Sequence, residues 1–264
     1  MRIYIVTDLE GVGGVVLPEQ TQPGHALYQE ARHLLTQEVN AAVQGALAGG
    51  ATYILVRDGH GANAGYNFIF DELHEGAEYM MGSPTDSYLS EVNSSYDGMF
   101  QLGAHAMAGT MHGVLEHTQS SVAWQEMCMN GRPMGEVGLC AAVAGQEGVP
   151  CLLVTGDQAV CDQAQELLGT EVEVAVTKTG LSRTCAVMKS PAVVRDLIRE
   201  RAKAAMSKIG KVMPLDVGTP VEIRLQFKHV HMADGRKCAG KRRLDSRTIA
   251  VTGATPREAF DNLS

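Results

Sequence analysis

The sequence predicts an α/β fold: a mainly parallel sheet with helices on both faces, joined by a smaller α+β two-layer unit at the C-terminal end. Three observations predict it. Short apolar runs recur at residues 3–6, 53–56, 99–102 and 151–154, each followed within a few positions by glycine, acidic residues or histidine. Stretches of helical spacing lie between the first two runs and behind the last, and buried strands alternating with helices make parallel sheets covered on both faces. Near Ser190 the pattern changes to helix, strand, strand, helix.

Ile3-Tyr4-Ile5-Val6 has the length and continuity of a strand buried on both faces. Leu27, Ala31, Leu34, Leu35, Val39, Ala42, Val43, Ala46 and Leu47 then recur at three- and four-residue intervals, the apolar face of a long helix that Gly49-Gly50 stops. Tyr53-Ile54-Leu55-Val56 is a second strand, ending at Arg57-Asp58-Gly59-His60, and Met99-Phe100-Gln101-Leu102 is a third, leading into Gly103-Ala104-His105. Asn130-Gly131, between Met127-Cys128-Met129 and Arg132-Pro133-Met134, is a type I′ hairpin signal set just before a helix that begins near Glu136. Cys151-Leu152-Leu153-Val154 runs into Thr155-Gly156-Asp157 with a helical stretch behind it.

Ser190-Pro191 opens a helix through residue 209, with Gly210 beyond it. Residues 221–227 alternate apolar and polar as a half-buried strand does, residues 248–251 supply another, and Thr255-Pro256-Arg257-Glu258 is a capping box for a last helix. The expected division is therefore an α/β domain over 1–188 and an α-β-β-α unit over 189–264.

At 264 residues and 45% hydrophobic, the chain is long enough to bury a sizeable core. A net charge of -8 offers no basic field for nucleic acid or an anionic membrane, and no apolar stretch approaches the roughly 20 residues of a membrane span. Six cysteines without C-x-x-C spacing, behind an N-terminus that runs straight into a strand, read as a reduced, cytoplasmic protein.

Chemistry gathers at the carboxyl ends of the strands, where ligands of open α/β sheets bind: Asp8 and Glu10 after the first, Asp58 and His60 after the second, His105 after the third. Two carboxylates spaced i, i+2 point the same way off a pleat, and with imidazoles from other strands they match the ligand set of catalytic zinc. A carboxylate able to bridge extends the set to two metals. Taken singly, each of these residues is as well explained as a cap or loop residue. Glu136, at a helix start, also favours the helix dipole, and His117, in the loop after His105, is either a proton shuttle or an idle surface histidine.

Other motifs fall away. His74-Glu75-Gly76-Ala77-Glu78 carries Glu78 where a zincin needs its second histidine, and Val16 replaces the third glycine of a dinucleotide fingerprint after Gly11. No G-x-S-x-G is present. Lys237, Lys241, Arg242, Arg243 and Arg247 cluster in the tail as a solvated or subunit-contact face.

As a set, Thr7-Asp8-Leu9-Glu10-Gly11, Arg57-Asp58-Gly59-His60, Leu102-Gly103-Ala104-His105, Gly113-Val114-Leu115-Glu116-His117 and Asn130-Gly131-Arg132-Pro133-Met134-Gly135-Glu136-Val137-Gly138 resemble the zinc-dependent D-aminopeptidases first described as dipeptide-transport-operon proteins. The resemblance covers nearly the whole chain. It implies that Asp8, Glu10, His60, His105 and Glu136 hold two zinc ions per subunit, with Asp8 bridging, and that His117 is the catalytic residue. It further implies D-amino-acid preference and assembly into a ring-shaped homodecamer with active sites facing an enclosed chamber. Glu116 departs from the family pattern, which has a small polar residue beside the histidine.

The function expected is a dizinc aminopeptidase removing the N-terminal residue of short peptides by metal-bound hydroxide, with His117 assisting. The rivals are a dinuclear metal phosphoesterase, which needs cations near the site, and a non-catalytic peptide-binding or metal-binding module linked to dipeptide uptake, which does not need His117.

Overall fold

The computed structural model describes residues 1–83, 87–234 and 240–263; Lys237 and Cys238 lie outside the described residues. In chain order the strands are β1 (Arg2–Thr7), β2 (Tyr53–Asp58), β3 (Glu78–Met80), β4 (Gly98–Ala104), β5 (Trp124–Met129), β6 (Arg132–Pro133), β7 (Cys151–Asp157), β8 (Glu173–Ser182), β9 (Cys185–Met188), β10 (Val221–Phe227), β11 (Arg242–Arg243) and β12 (Thr248–Gly253). The α-helices are α1 (Ala26–Ala48), α2 (Glu136–Gln146), α3 (Gln158–Leu168), α4 (Pro191–Met206), α5 (Val230–Asp234) and α6 (Pro256–Asp261).

Seven strands form one sheet in the order β3-β2-β1-β4-β7-β8-β9, parallel except for β9 at its edge. Strand β1 alternates its side chains between two apolar layers. Ile3 and Ile5 pack with the α1 and α4 side, including Val39, Val43 and Ile198, while Tyr4 and Val6 join the opposite side with Leu139, Val143 and Val160 from α2 and α3. Burying an aliphatic chain completely is worth about 1.5–3 kcal/mol, so a strand sealed on both faces has one stable register. The chain leaves β1 toward β2 and β3, then returns to β1's other side as β4. The topological switch point of the sheet is therefore the gap between the ends of β1 and β4.

A second, antiparallel sheet has the order β11-β12-β10-β5-β6. Val221, Ile223, Leu225 and Phe227 of β10 are buried, as the alternation predicts. The Asn130-Gly131 turn joins β5 to β6 with φ of 48° and 80°, the positive values of a type I′ hairpin. At the last helix, the Thr255 hydroxyl accepts from the Glu258 N–H at 3.1 Å and the Glu258 carboxylate accepts from the Ala254 N–H at 2.9 Å, a capping box displaced by one residue.

Residues 189–264 are divided between the two sheets. Helix α4 packs on α1 and on β7 and β8, because Val194, Ile198, Ala202 and Ala205 face the same apolar layer as α1. The antiparallel sheet in turn takes β5 and β6 from residues 124–133. Helix α4 ends at Met206, with Ser207 as its cap, three residues short of the expected end. Strand β8 escaped the sequence reading because Thr177-Lys178-Thr179 breaks its apolar alternation, although Thr177 and Lys178 are both fully buried. No helix among the described residues is long and apolar enough to cross a membrane.

Candidate metal centre

Strand β1 stops at Thr7, so Asp8 and Glu10 lie in a turn beyond it and not on the pleat. The turn is pinned against β4: the Asp8 N–H donates to Leu102 O at 2.8 Å and the Gly11 N–H to Gly103 O at 2.7 Å. Two glycines make this approach possible. A Cβ on Gly11 would stand 1.9 Å from Ala104 O, and one on Gly103, whose φ is +65°, would stand 2.2 Å from Asp8 O. From beneath, the buried Lys178 of β8 donates to the carbonyls of Glu10, Val12 and Val15 at 2.5, 2.8 and 2.6 Å. Glu38 of α1 accepts from the Gly13 N–H at 2.7 Å.

The structure brings together the five residues that the resemblance makes metal ligands, and His117 with them. Asp8, Glu10 and His60 present donor atoms within 4.8 Å of one another, and so do His105, His117 and Glu136. Asp8 faces both groups, its Oδ1 2.8 Å from His60 Nδ1 and its Oδ2 3.3 Å from His105 Nε2. Glu10 Oε2 is 3.3 Å from His60 Nδ1, and Glu136 Oε1 is 3.1 Å from His105 Nε2 and 3.7 Å from His117 Nε2. The His105 and His117 rings stack with centroids 3.9 Å apart and planes at 12°. Glu136, the first residue of α2, also accepts from the Gln119 N–H at 2.7 Å, which ties the His117 loop to the helix start.

Each histidine turns its other nitrogen to a main-chain carbonyl: His60 Nε2 to Thr21 at 2.9 Å, His105 Nδ1 to Ala106 at 3.0 Å and His117 Nδ1 to Leu115 at 3.0 Å. Donation there leaves a lone pair on the nitrogen that faces the carboxylates, the tautomer a metal-ligating histidine takes. Glu10 Oε2 and His105 Nε2 are buried and make no hydrogen bond, despite charged neighbours within 3.3 Å. Buried polar atoms without partners are costly, and a cation between the two groups would satisfy both. The donor set of carboxylate oxygens and imidazole nitrogens fits zinc.

Without a cation the cluster is an ion-pair network. Burial raises the Asp8 carboxyl, but the imidazoles of His105 and His60 beside it outweigh that and hold the group far below the usual carboxylate range. Glu136 is lowered for the same reason: burial raises it, and the charge of His105 more than offsets that. Burial lowers His60 and His105, yet Glu10 beside the one and Glu136 beside the other carry both well above the ordinary imidazole value. A metal ion held by these residues would displace protons from the imidazoles.

Residues outside this set have structural work. Asp58 is buried and accepts from Asn67 Nδ2 at 2.9 Å; Asn67 also donates to His60 O at 3.0 Å, so this carboxylate shapes the His60 loop. His112 is exposed and rests on Leu181 O at 3.1 Å. Arg242 pairs with Glu222, and Arg243 pairs with Asp234 at 3.1 Å, consistent with a solvated face. Cys140 is a packed residue whose Sγ lies 3.2 Å from the Tyr88 hydroxyl. Sequence reasoning missed Lys178, Glu38 and Arg183. A lysine at an inward position of an apolar strand was the available signal for the first; the other two had none.

Asp8, Glu10, His60 and Glu136 line, together with His117, a cleft of about 470 Å³, within the range of small-molecule sites, while the buried His105 lies outside its lining. A profile of the D-aminopeptidase family, peptidase M55, matches residues 1–264. A D-aminopeptidase of Bacillus subtilis (strain 168) is 32% identical over 237 residues, covering 89% of this chain and 84% of that protein. The solved structure of the Zn-dependent D-aminopeptidase DppA from Bacillus subtilis, a self-compartmentalizing protease, superposes with a TM-score of 0.94 at 28% identity, covering 100% of this chain and 95% of that one.

Proposed function

The chain belongs to the D-aminopeptidase family, and from that premise we propose that it is a zinc aminopeptidase removing the N-terminal residue of short peptides, with preference for D-residues. One observation carries the reading: two three-residue donor groups meet at Asp8, and each holds a buried polar atom without a hydrogen bond. Asp8, Glu10 and His60 would hold one zinc ion and Asp8, His105 and Glu136 the other. Bound zinc supplies Lewis-acid polarisation of the scissile carbonyl and lowers the pKa of water toward about 7.

The chain's own residues do the rest. The acidic cleft wall favours the cationic α-amine of the substrate and thereby sets the first residue against the carboxylates. His117 stands on the edge of the cluster, with a 16% exposed side chain reaching the cleft and its Nδ1 fixed on Leu115 O. From there Nε2 takes the proton that the attacking water gives up as its oxygen bonds to the scissile carbon, and delivers it to the amine nitrogen as the C–N bond breaks. Packing of the first turn by Lys178 and stacking of His117 on His105 keep the groups in place through the reaction. A homo-oligomer, read as a ring-shaped decamer, would enclose these clefts, a proposal supported by likeness to the self-compartmentalizing relative.

The test is hydrolysis of D-alanine and L-alanine p-nitroanilides by purified protein, before chelation, after it and after zinc is restored. Activity should vanish and return with zinc. His117→Ala should retain its zinc and lose about 10²–10⁴-fold in kcat, the usual scale of general acid–base assistance. Undiminished turnover in that variant would remove the assignment.

A further inference from the structure

The cleft is acidic at its floor, yet a peptide enters it with a negative charge at its own C-terminus. Among the described residues lining the cleft, Arg183 is the only lysine or arginine. It sits in the turn between β8 and β9, and its main-chain oxygen accepts from the Leu115 N–H at 2.9 Å, two residues before His117. The turn is thus fastened to the loop that carries the proposed proton-transfer residue. We propose that Arg183 is a specificity-determining residue that pairs with the C-terminal carboxylate of a bound short peptide, so that the cleft selects free di- and tripeptides.

The guanidinium is available for this pairing. It forms an ion pair with Glu116 Oε1 at 3.6 Å but no hydrogen bond to it, and the other oxygen of Glu116 is taken by the Gly109 N–H at 2.9 Å, so its N–H donors are left to a ligand carboxylate. The Arg183 side chain is 45% exposed, so pairing with a ligand costs little desolvation beforehand. A guanidinium offers two parallel N–H donors to a carboxylate, which fixes orientation as well as charge. The amine end is drawn to the acidic cluster and the carboxylate end to Arg183, so the two ends together measure the peptide. An extended chain gains at most about 3.5 Å per residue, and a cleft of about 470 Å³ takes only a few of them.

This assignment rests on the aminopeptidase reading, and its test separates the two. Zinc-loaded wild type, Arg183→Gln and Arg183→Lys would be assayed on D-Ala-D-Ala and on D-Ala-D-Ala amide, which lacks the terminal charge. Because the Leu115 contact uses the main chain of Arg183, substitution of the side chain preserves it; thermal melts check the fold. Wild type should favour the free acid, and Arg183→Gln should reduce the acid-to-amide ratio of kcat/KM about 10- to 100-fold, chiefly through KM. Arg183→Lys should recover part of the ratio, since an ammonium keeps the charge but loses the fork. An unchanged ratio in Arg183→Gln overturns the assignment. Wild-type protein that cleaves neither peptide overturns the aminopeptidase reading and this assignment with it, whereas cleavage of both with no preference overturns this assignment alone.

Discussion

The two halves of the cluster are built differently. Asp8, Glu10 and His60 come from the ends of neighbouring parallel strands, and their turn rests on buried ionisable groups, Lys178 and Glu38. His105, His117 and Glu136 come from a strand end, a loop and a helix start, and their supports are main-chain carbonyls, the Gln119 N–H and the stacking of two rings. The first half depends on the sheet, so it exists wherever β1 and β2 pair. The second half needs the β5–β6 hairpin to turn the chain back so that α2 starts beside β4. A single carboxylate, Asp8, faces both.

Removing that shared residue should have the largest effect. Asp8→Asn is expected to lower bound zinc in both halves and to reduce kcat/KM by about 10³-fold, which corresponds to several kcal/mol of lost charge stabilisation. Glu10→Gln and Glu136→Gln should each deplete one zinc, which elemental analysis of the purified variants would count. Equal loss of both ions in all three variants would show that the halves fill as a unit and that the comparison is only geometric.

Gly11→Ala should come next, because it strikes the seam where the first half presses on the strand that delivers the second. With no room for a Cβ between the turn and Ala104 O, the turn must move, at a cost of about 1–3 kcal/mol. That corresponds to a fall in Tm of roughly 2–4 °C per kcal/mol for a chain of about this size. Gly61→Ala is the control: it adjoins His60, has ordinary helical φ and has open space around a Cβ, so its melt should match wild type. A seam that tolerates alanine as Gly61 does would mean that the two halves are not mechanically joined.

The same contrast explains what was legible in the sequence. Apolar runs ending in Asp, Glu or His reveal strand ends, so Asp8, Glu10, His60 and His105 stood out from pattern alone. The apolar face of α1 and the Asn130-Gly131 turn were legible because each follows from local spacing or a local φ requirement. Glu136 and His117 were not, since a glutamate at a helix start and a loop histidine have ordinary local explanations; the family motifs singled them out. Which sheet takes α4 was hidden for a different reason. Val194, Ile198 and Ala202 define an apolar face but not the partner it meets, and a strand from residues 124–129 can join β10 only through contacts remote in sequence. Lys178 was missed because a lysine inside a strand reads as an interruption until its three carbonyl partners are in view.

The smallest effect concerns the support under the first half alone. Glu38 is buried, its Oε2 has no partner, and burial pushes its carboxyl up from 4.5 to about 8. Folded protein therefore keeps a proton on Glu38 up to that pH, while unfolded chain releases it above 4.5. Unfolding releases a proton in between, so this group's contribution to stability declines as pH rises from about 4.5 to 8 and is level beyond. Lys178, lowered by burial from 10.5 to about 8, acts above that window, where its contribution grows with pH. Glu38→Gln keeps the shape and removes the proton equilibrium. Its melting temperature in metal-free protein should lie close to wild type near pH 5 and exceed it by roughly ten degrees at pH 8, equivalent to about 3–4 kcal/mol. Because Glu38 reaches the site through Gly13 of the first turn, zinc-loaded Glu38→Gln should hold as much zinc in the second half as wild type does at each pH. A Tm difference that is the same at both pH values would mean that Glu38 is ionised in the folded protein as the partner of the Lys178 ammonium, and that the first half stands on a buried ion pair and not on a neutral acid.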